Sequence, residues 1–379
     1  MAETHGDCEP VFNSVRELLA QQIANESELG ASICVNIDGK NVLDIWGGHL
    51  DSERTKPWDK DTLAAVWSCS KVVTNLAALI LVDRGLLDPN EKVSKYWPEF
   101  AANGKENVKV SHILSHSSGV AGWEPVITWE EVYDTKKSTE WLAKQPLWWT
   151  PGERNGYHLT NQGHLIGEII RRISGKSLKQ FIADEITGPL GADFSLGVPE
   201  KDWPRTAEQI PPVTRSTDGP EPTSVAAKAY AGPAFRAEEC MTPGFRGAEI
   251  GAANGFGNAR SMARIGSMVS LNGIVDGKRY LSPDVINRLL EEQVSGVDLV
   301  LGQFFRFGLG VGLSMPQTVP WIPEGRVCFW GGWGGSMIIM DLDRRMTIGY
   351  AMNKMSAGTL GNANTELFVR EIYKIVDSL

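Results

Sequence analysis

Cysteine is scarce in this chain: five residues in 379, Cys8, Cys34, Cys69, Cys240 and Cys328. They are odd in number, widely spaced and form no C-x-x-C, which argues against a disulfide framework and for reduced thiols. Positive charge is in deficit, with 37 Lys and Arg against 46 Asp and Glu, a net −9. No basic run and no RNA-binding or zinc-finger pattern occurs, so a nucleic-acid partner is not expected. Long apolar runs are missing as well. The most apolar stretch, Val72 to Val82, contains Thr74 and Asn75 and is too short to cross a bilayer. The segment Met1 to Cys8 has neither the positive nor the apolar part of a secretory signal. A cytoplasmic protein without membrane insertion is the expectation. Three hydrolase or nucleotide signatures are absent: G-x-S-x-G, H-E-x-x-H and the Walker A loop. Six histidines leave few members for a Ser-His-Asp triad.

What is present describes an ordinary globular composition, with 42% apolar and 22% charged residues. The length allows a large core divided into two or three lobes. Forty glycines and thirteen tryptophans fit tight turns and either a shaped pocket or a large aromatic core.

Apolar spacing predicts a helix over Val11 to Ile23. Ala31 to Asn36 and Asn41 to Trp46 are predicted strands joined by the hairpin signal Asp38-Gly39. A helix is expected from about Ser68 to Gly85, with Val72, Leu76, Leu79 and Ile80 at helical intervals. Further helices are predicted over Ser138 to Lys144, Asn161 to Ser174, Leu178 to Ile186, Asn258 to Leu271, Pro283 to Glu292 and Thr365 to Val376. Residues 195–245, rich in Pro, Gly and Thr, show little periodicity and are expected to form a functional loop or lid. Strands return at Gly308 to Leu313, Val327 to Trp330, Ser336 to Asp341 and Met346 to Met352. The expectation is an α/β (α+β) fold: one antiparallel-rich mixed sheet built from both chain ends, flanked by helices, with an adjoining helical lobe. In residue terms, 1–379 would be one catalytic unit. Residues 1–85 and 250–379 would form its α/β lobe, and 86–249 the mainly helical lobe.

One candidate nucleophile remains. Ser68-Cys69-Ser70-Lys71 is the sole Ser-x-x-Lys in the chain, at the predicted start of a helix. Residues i and i+3 share a helix face, so the Lys71 amine lies beside the Ser68 hydroxyl. Burial lowers a lysine's pKa and turns it into a base. The positive end of the helix favours an oxyanion nearby. A bare Ser-x-x-Lys also arises from a capping serine followed by a solvated lysine.

The surrounding motifs decide between these readings. Trp67-Ser68-Cys69-Ser70-Lys71 is followed by Val82-Asp83-Arg84-Gly85, then Tyr96-Trp97-Pro98-Glu99-Phe100, then His112-Ile113-Leu114-Ser115-His116-Ser117-Ser118-Gly119. Pro151-Gly152-Glu153 and Tyr157 come later, and Trp330-Gly331-Gly332 later still. This order resembles the serine β-lactamase-like superfamily, family VIII carboxylesterases in particular, over roughly residues 30–355. Class C β-lactamases and D-amino-acid peptidases are more distant relatives. The resemblance implies a β-lactamase/transpeptidase-like fold, with Ser68 as nucleophile, Lys71 as its proton acceptor and Tyr157 as the second-motif tyrosine. A tyrosine beside a cationic amine is expected to have a lowered pKa and to titrate with Lys71 as a unit. The third motif would be Trp330-Gly331-Gly332, where β-lactamases carry Lys-Thr-Gly. The backbone N–H groups of Ser68 and Trp333 would then bind the oxyanion.

Two departures shift the expected substrate. The second motif reads Tyr157-His158-Leu159, without the usual Asn, and Trp330 replaces the usual Lys. The contacts to a β-lactam side chain and carboxylate are thereby lost, which favours small neutral esters. Trp330, Gly331, Gly332, His158 and Leu159 are the expected pocket residues, His158 having a surface position as the alternative. Trp123, Trp148 and Trp149 are either pocket walls or core. Ala248-Glu249 and Ala253 to Gly257 are expected to form a loop near the cleft. His112 and His116, four apart, have metal-ligand spacing but no third ligand, so a structural role and no metal are expected. The expected function is a carboxylesterase needing no cofactor, with a small ester or acyl compound as its partner. An acyltransferase using the same residues is the alternative, because a tyrosine motif without Asn also resembles polyketide-modifying acyltransferases. A non-catalytic binding protein is the third reading, and the intact Ser68, Lys71 and Tyr157 count against it.

Overall fold

The computed structural model describes residues 2–213 and 219–379. Met1 of the N-terminal segment and residues 214–218 of the expected loop 195–245 lie outside the described residues. In chain order the strands are β1 (Thr4–Cys8), β2 (Gly30–Ile37), β3 (Lys40–Gly48), β4 (Ala64–Trp67), β5 (Phe194–Leu196), β6 (Gly255–Gly257), β7 (Ile274–Val275), β8 (Lys278–Arg279), β9 (Val294–Val297), β10 (Phe304–Phe307), β11 (Gly312–Leu313), β12 (Val327–Gly331), β13 (Met337–Asp341) and β14 (Met346–Met352). Nine of them form the main sheet in the order β1-β3-β2-β14-β13-β12-β11-β10-β9. Every pairing in it is antiparallel, including Tyr350 opposite Ile33 and Trp330 opposite Ile338, so the sheet is not mixed.

The two-residue period of a strand assigns its faces. Along β14, Thr347 bonds Ser270 on the helix Ala259–Ser270. Two positions on, Gly349 brings that helix so close that a Cβ would stand 2.3 Å from the Ala259 carbonyl oxygen. Tyr350 points the other way and meets Phe368 of the C-terminal helix Ala363–Val376, ring centroids 5.5 Å apart. Helix α1 (Asn13–Ala24) packs on that second side, against β3 and the C-terminal helix. Both faces of the sheet are therefore covered, and all seven residues of β14 are buried.

A second sheet, β4-β6-β5, positions helix α2 (Ser70–Asp83). The residues of α2 from Ser70 to Val82 are all buried, as a helix apolar on every side requires. It packs against the helices Asn161–Ser174 and Leu178–Ile182. No helix among the described residues is long and apolar enough to cross a membrane.

The departures from expectation are local. The predicted strand Gly308 to Leu313 is a turn, with Gly310 at φ +93°, followed by the two residues of β11. The predicted helix Leu178 to Ile186 leaves α geometry after Ile182 and continues as a wider π turn, Ala183–Thr187. The edge strands β1 and β9, strand β10 beside β9, and the three short strands of the second sheet were not foreseen.

Candidate active site

Ser68 stands at the elbow between β4 and α2. Trp67, the last residue of β4, has φ +46°, a left-handed conformation that is strained for a bulky side chain. The Ser70 hydroxyl donates to the Trp67 carbonyl and accepts the Gly255 N–H at 2.8 Å, pinning the elbow to β6. The Lys71 N–H closes the turn on the Ser68 carbonyl at 3.0 Å. This brings Lys71 Nζ to 3.1 Å from Ser68 Oγ.

Lys71 is 1% exposed, and burial holds its amine well below the usual lysine range. Its other contacts are the carbonyl oxygens of Leu159 at 2.8 Å and Ala252 at 2.9 Å. A neutral amine has two N–H bonds and one lone pair. In that uncharged form, with both N–H bonds directed at the two carbonyls, the lone pair is left on the side of Ser68 Oγ.

Strand β12 reaches the same elbow. A Cβ on Gly332 would stand 2.2 Å from the Val66 carbonyl oxygen, and one on Gly331 the same distance from that of Thr359. Both positions therefore require glycine. The Gly332 N–H is taken by the Ser336 carbonyl at 2.7 Å. Among the described residues, neither the Ser68 N–H nor the Trp333 N–H has an acceptor. The Trp67 and Trp333 rings meet edge to face at 5.1 Å.

Tyr157 lies in coil, 1% exposed. Lys71 Nζ sits 4.6 Å from its ring centre. Its hydroxyl accepts the Trp330 indole N–H at 2.9 Å and lies within bonding reach of Ser68. The lowered pKa expected for this phenol is corrected: burial pushes it up, and the negative charge of Asp298 adds to the effect. Lys71, whose own pKa burial lowers, does not offset that rise. The hydroxyl stays protonated. With its oxygen receiving the Trp330 N–H, its own hydrogen is free for Ser68.

The other expected site residues divide. Trp330 is buried, wedged among Tyr157, Phe305 and Phe307 at 5.2–5.7 Å between ring centres. Its indole N–H is the one that reaches the Tyr157 hydroxyl. Leu159 lines a cavity of about 250 Å³ together with Trp123, Ala121 and Phe235. Phe235 in turn stacks edge-on against Trp333, and the Leu159 carbonyl accepts from Lys71, so two of the cavity's lining residues touch site residues. His158 is corrected: it is fully buried, neither on the pocket wall nor at the surface. Its Nδ1 pairs with the Gly156 carbonyl at 2.7 Å and its Nε2 with Ser118 Oγ at 2.6 Å, and burial drops its pKa to about 3. Trp148 and Trp149 border a separate hollow with Leu147 and Pro151. His112 Nδ1 accepts the Lys109 N–H at 3.2 Å, whereas His116 Nδ1 accepts the His158 N–H at 3.0 Å, so the two imidazoles serve different turns. A cavity of about 790 Å³ lies away from Ser68, between Trp97, Thr139, Gly167 and Arg171.

Three participants had no signal in the sequence. The carbonyls of Leu159 and Ala252 are main-chain atoms, which no side-chain pattern reveals. Ala252 lies between Ala248-Glu249 and Ala253 to Gly257, the two stretches expected near the cleft, and was itself in neither. Asp298 is the third; it accepts the Tyr157 N–H at 3.0 Å from 141 residues away.

The beta-lactamase family model matches residues 15–368. The chain belongs to that family. The esterase/beta-lactamase LipL of Mycobacterium tuberculosis is 30% identical over 308 residues, 75% of this chain and 68% of that protein. A solved family VIII carboxylesterase is similar at TM-score 0.92 and 34% identity, over 98% of this chain and 100% of the other. A penicillin-binding protein homologue from Caulobacter crescentus follows at TM-score 0.90 and 31% identity, with the same coverage. The expected resemblance to family VIII carboxylesterases and the β-lactamase-like fold are both borne out. At family level these likenesses support a hydrolase.

Proposed function

We propose that this chain is a serine carboxylesterase acting through an acyl-enzyme on Ser68. The observation that carries the reading is the pairing of Ser68 Oγ with Lys71 Nζ at 3.1 Å, the amine buried and its two N–H bonds held by carbonyls. The site falls between the sheet lobe and the helical middle of one catalytic unit.

In the first step the Ser68 hydroxyl proton moves to Lys71 Nζ while Oγ bonds the ester carbonyl carbon. The carbonyl oxygen becomes an oxyanion received by the unpartnered Ser68 and Trp333 N–H groups. The bond to the alcohol oxygen breaks, and that oxygen takes a proton from Lys71 through the Tyr157 hydroxyl. Water then adds to the acyl carbon and passes a proton through Tyr157 to Lys71; the bond from the acyl carbon to Ser68 Oγ breaks, Oγ takes that proton back from Lys71, and the acid leaves.

Trp330 and Leu159 underlie the substrate preference. The indole N–H holds the Tyr157 hydroxyl as a lysine would, but brings no positive charge for a carboxylate. Leu159 offers an apolar wall where an amide would bond a β-lactam side chain. A relative named for both esterase and β-lactamase activity and a neighbour named a carboxylesterase support the ester reading. The test compares p-nitrophenyl acetate and butyrate with a chromogenic cephalosporin, in wild type and Ser68→Ala. Rapid ester turnover, slow or absent cephalosporin opening, and loss of both in Ser68→Ala are expected. Faster turnover of the cephalosporin would overturn the ester preference. Added alcohols report the acyltransferase alternative, through a new ester in place of free acid.

A further inference from the structure

Tyr157 has no regular element to hold it. Residues 153–160 pass through the site without helix or strand. The phenol is nonetheless set against both Ser68 and Lys71, so something outside the segment fixes it.

Asp298, directly after β9, is 1% exposed. Its Oδ1 accepts three main-chain N–H groups: Tyr157 at 3.0 Å, Val300 at 2.9 Å and Leu301 at 3.0 Å. Its Oδ2 accepts the Asn155 side-chain amide at 3.0 Å. The Leu299 N–H donates to the Asn155 carbonyl at 2.9 Å beside them. One carboxylate thus ties the turn 298–302 to the segment that carries the phenol. All four of its donors are neutral amides. Burying a charge without a cation is costly unless such donors surround it, so the arrangement is a built one.

We infer that Asp298 is a positioning residue for Tyr157, clamping residues 155–157 so that the phenol meets Ser68 and Lys71. It touches neither substrate nor the reacting atoms and acts through Tyr157. The inference rests on the reading of Tyr157 as the proton relay. Hydrogen bonds to a charged acceptor are roughly twice as strong as neutral ones. An asparagine keeps an acceptor for the three N–H groups, and the Asn155 amide can turn to receive its new donor. An alanine keeps neither.

A double-mutant cycle tests the coupling, with kcat and KM measured on p-nitrophenyl butyrate. Tyr157→Phe is expected to lower kcat by about 10²-fold, the low end for a proton-transfer group. Asp298→Ala should lower kcat by about tenfold to 10²-fold with KM within about twofold, and Asp298→Asn by about three- to tenfold. On the Tyr157→Phe background both Asp298 substitutions should cost less than about twofold, because the group they position is gone. Multiplying effects on that background would mark Asp298 as merely structural and overturn the inference. Should Asp298→Ala fail to fold, the Asp298→Asn arm decides by the same criterion. An undiminished kcat in Tyr157→Phe alone would remove the relay reading, and with it the assignment of Asp298.

Discussion

The two halves of the site are held in place by different means. Ser68 and Lys71 lie three residues apart, and the turn that joins them is closed by its own main chain. Tyr157 rides on coil and is fixed by Asp298 and Trp330, 141 and 173 residues away. In the first half the turn itself sets the distance from Ser68 to Lys71, and distant carbonyls, those of Leu159 and Ala252, only direct the amine. The second exists only once the main sheet has closed. A half whose spacing is local depends less on distant elements than an assembled half, which inherits the fate of every element that clamps it.

Substitutions ranked by expected effect probe that contrast. Ser68→Ala should cost at least about 10⁴-fold in kcat, with Tm nearly unchanged, because only a hydroxyl is removed. Retained turnover would break the local half outright. Lys71→Ala should cost up to about 10⁴-fold. In the wild type, kcat/KM should rise with pH through the lowered Lys71 pKa and then level off. The sign follows from the role: the base must be unprotonated, and acid protonates it. A profile that falls as pH rises over that range would contradict the lone-pair assignment. Gly332→Ala tests the junction of the halves. Its Cβ would stand 2.2 Å from the Val66 carbonyl oxygen, so backbone must move. A loss of about 10²-fold in kcat and about 1–3 kcal/mol in stability is expected, measured by ester turnover and denaturant unfolding. Trp330→Phe is the smallest change. It removes the N–H that holds the Tyr157 hydroxyl at the cost of about 1 kcal/mol, and kcat should fall less than tenfold.

The same contrast explains what the sequence allowed to be read. The helix Asn161–Ser174 follows from Leu165, Ile166, Ile169 and Ile170 at helical intervals, and strand β14, buried over all seven residues, from its short apolar run. Strand β1 does not, because Thr4–Cys8 alternates exposure with no large aliphatic side chain to mark a face. Strand β6, Gly255–Gly257, is two glycines around Phe256, a composition that reads as loop. At the site, Ser68 and Lys71 follow from spacing within a helix turn, and Tyr157 and Trp330 came only through the order of motifs. His158 was misplaced because its neighbour in sequence, Tyr157, faces the site, and adjacent residues in coil share no rule of orientation. The acceptors on Lys71 are main-chain atoms brought in by folding, and Asp298 stands in an unremarkable stretch, Val297-Asp298-Leu299. Nothing local distinguishes a clamp from a solvated turn.

Trapping the acyl-enzyme tests the central claim most directly. Wild type quenched during turnover of p-nitrophenyl butyrate should gain the mass of one butyryl group, located by peptide mapping on the segment containing Ser68, and Ser68→Ala should gain none. An adduct on another residue, or undiminished ester turnover by Ser68→Ala, would contradict the account.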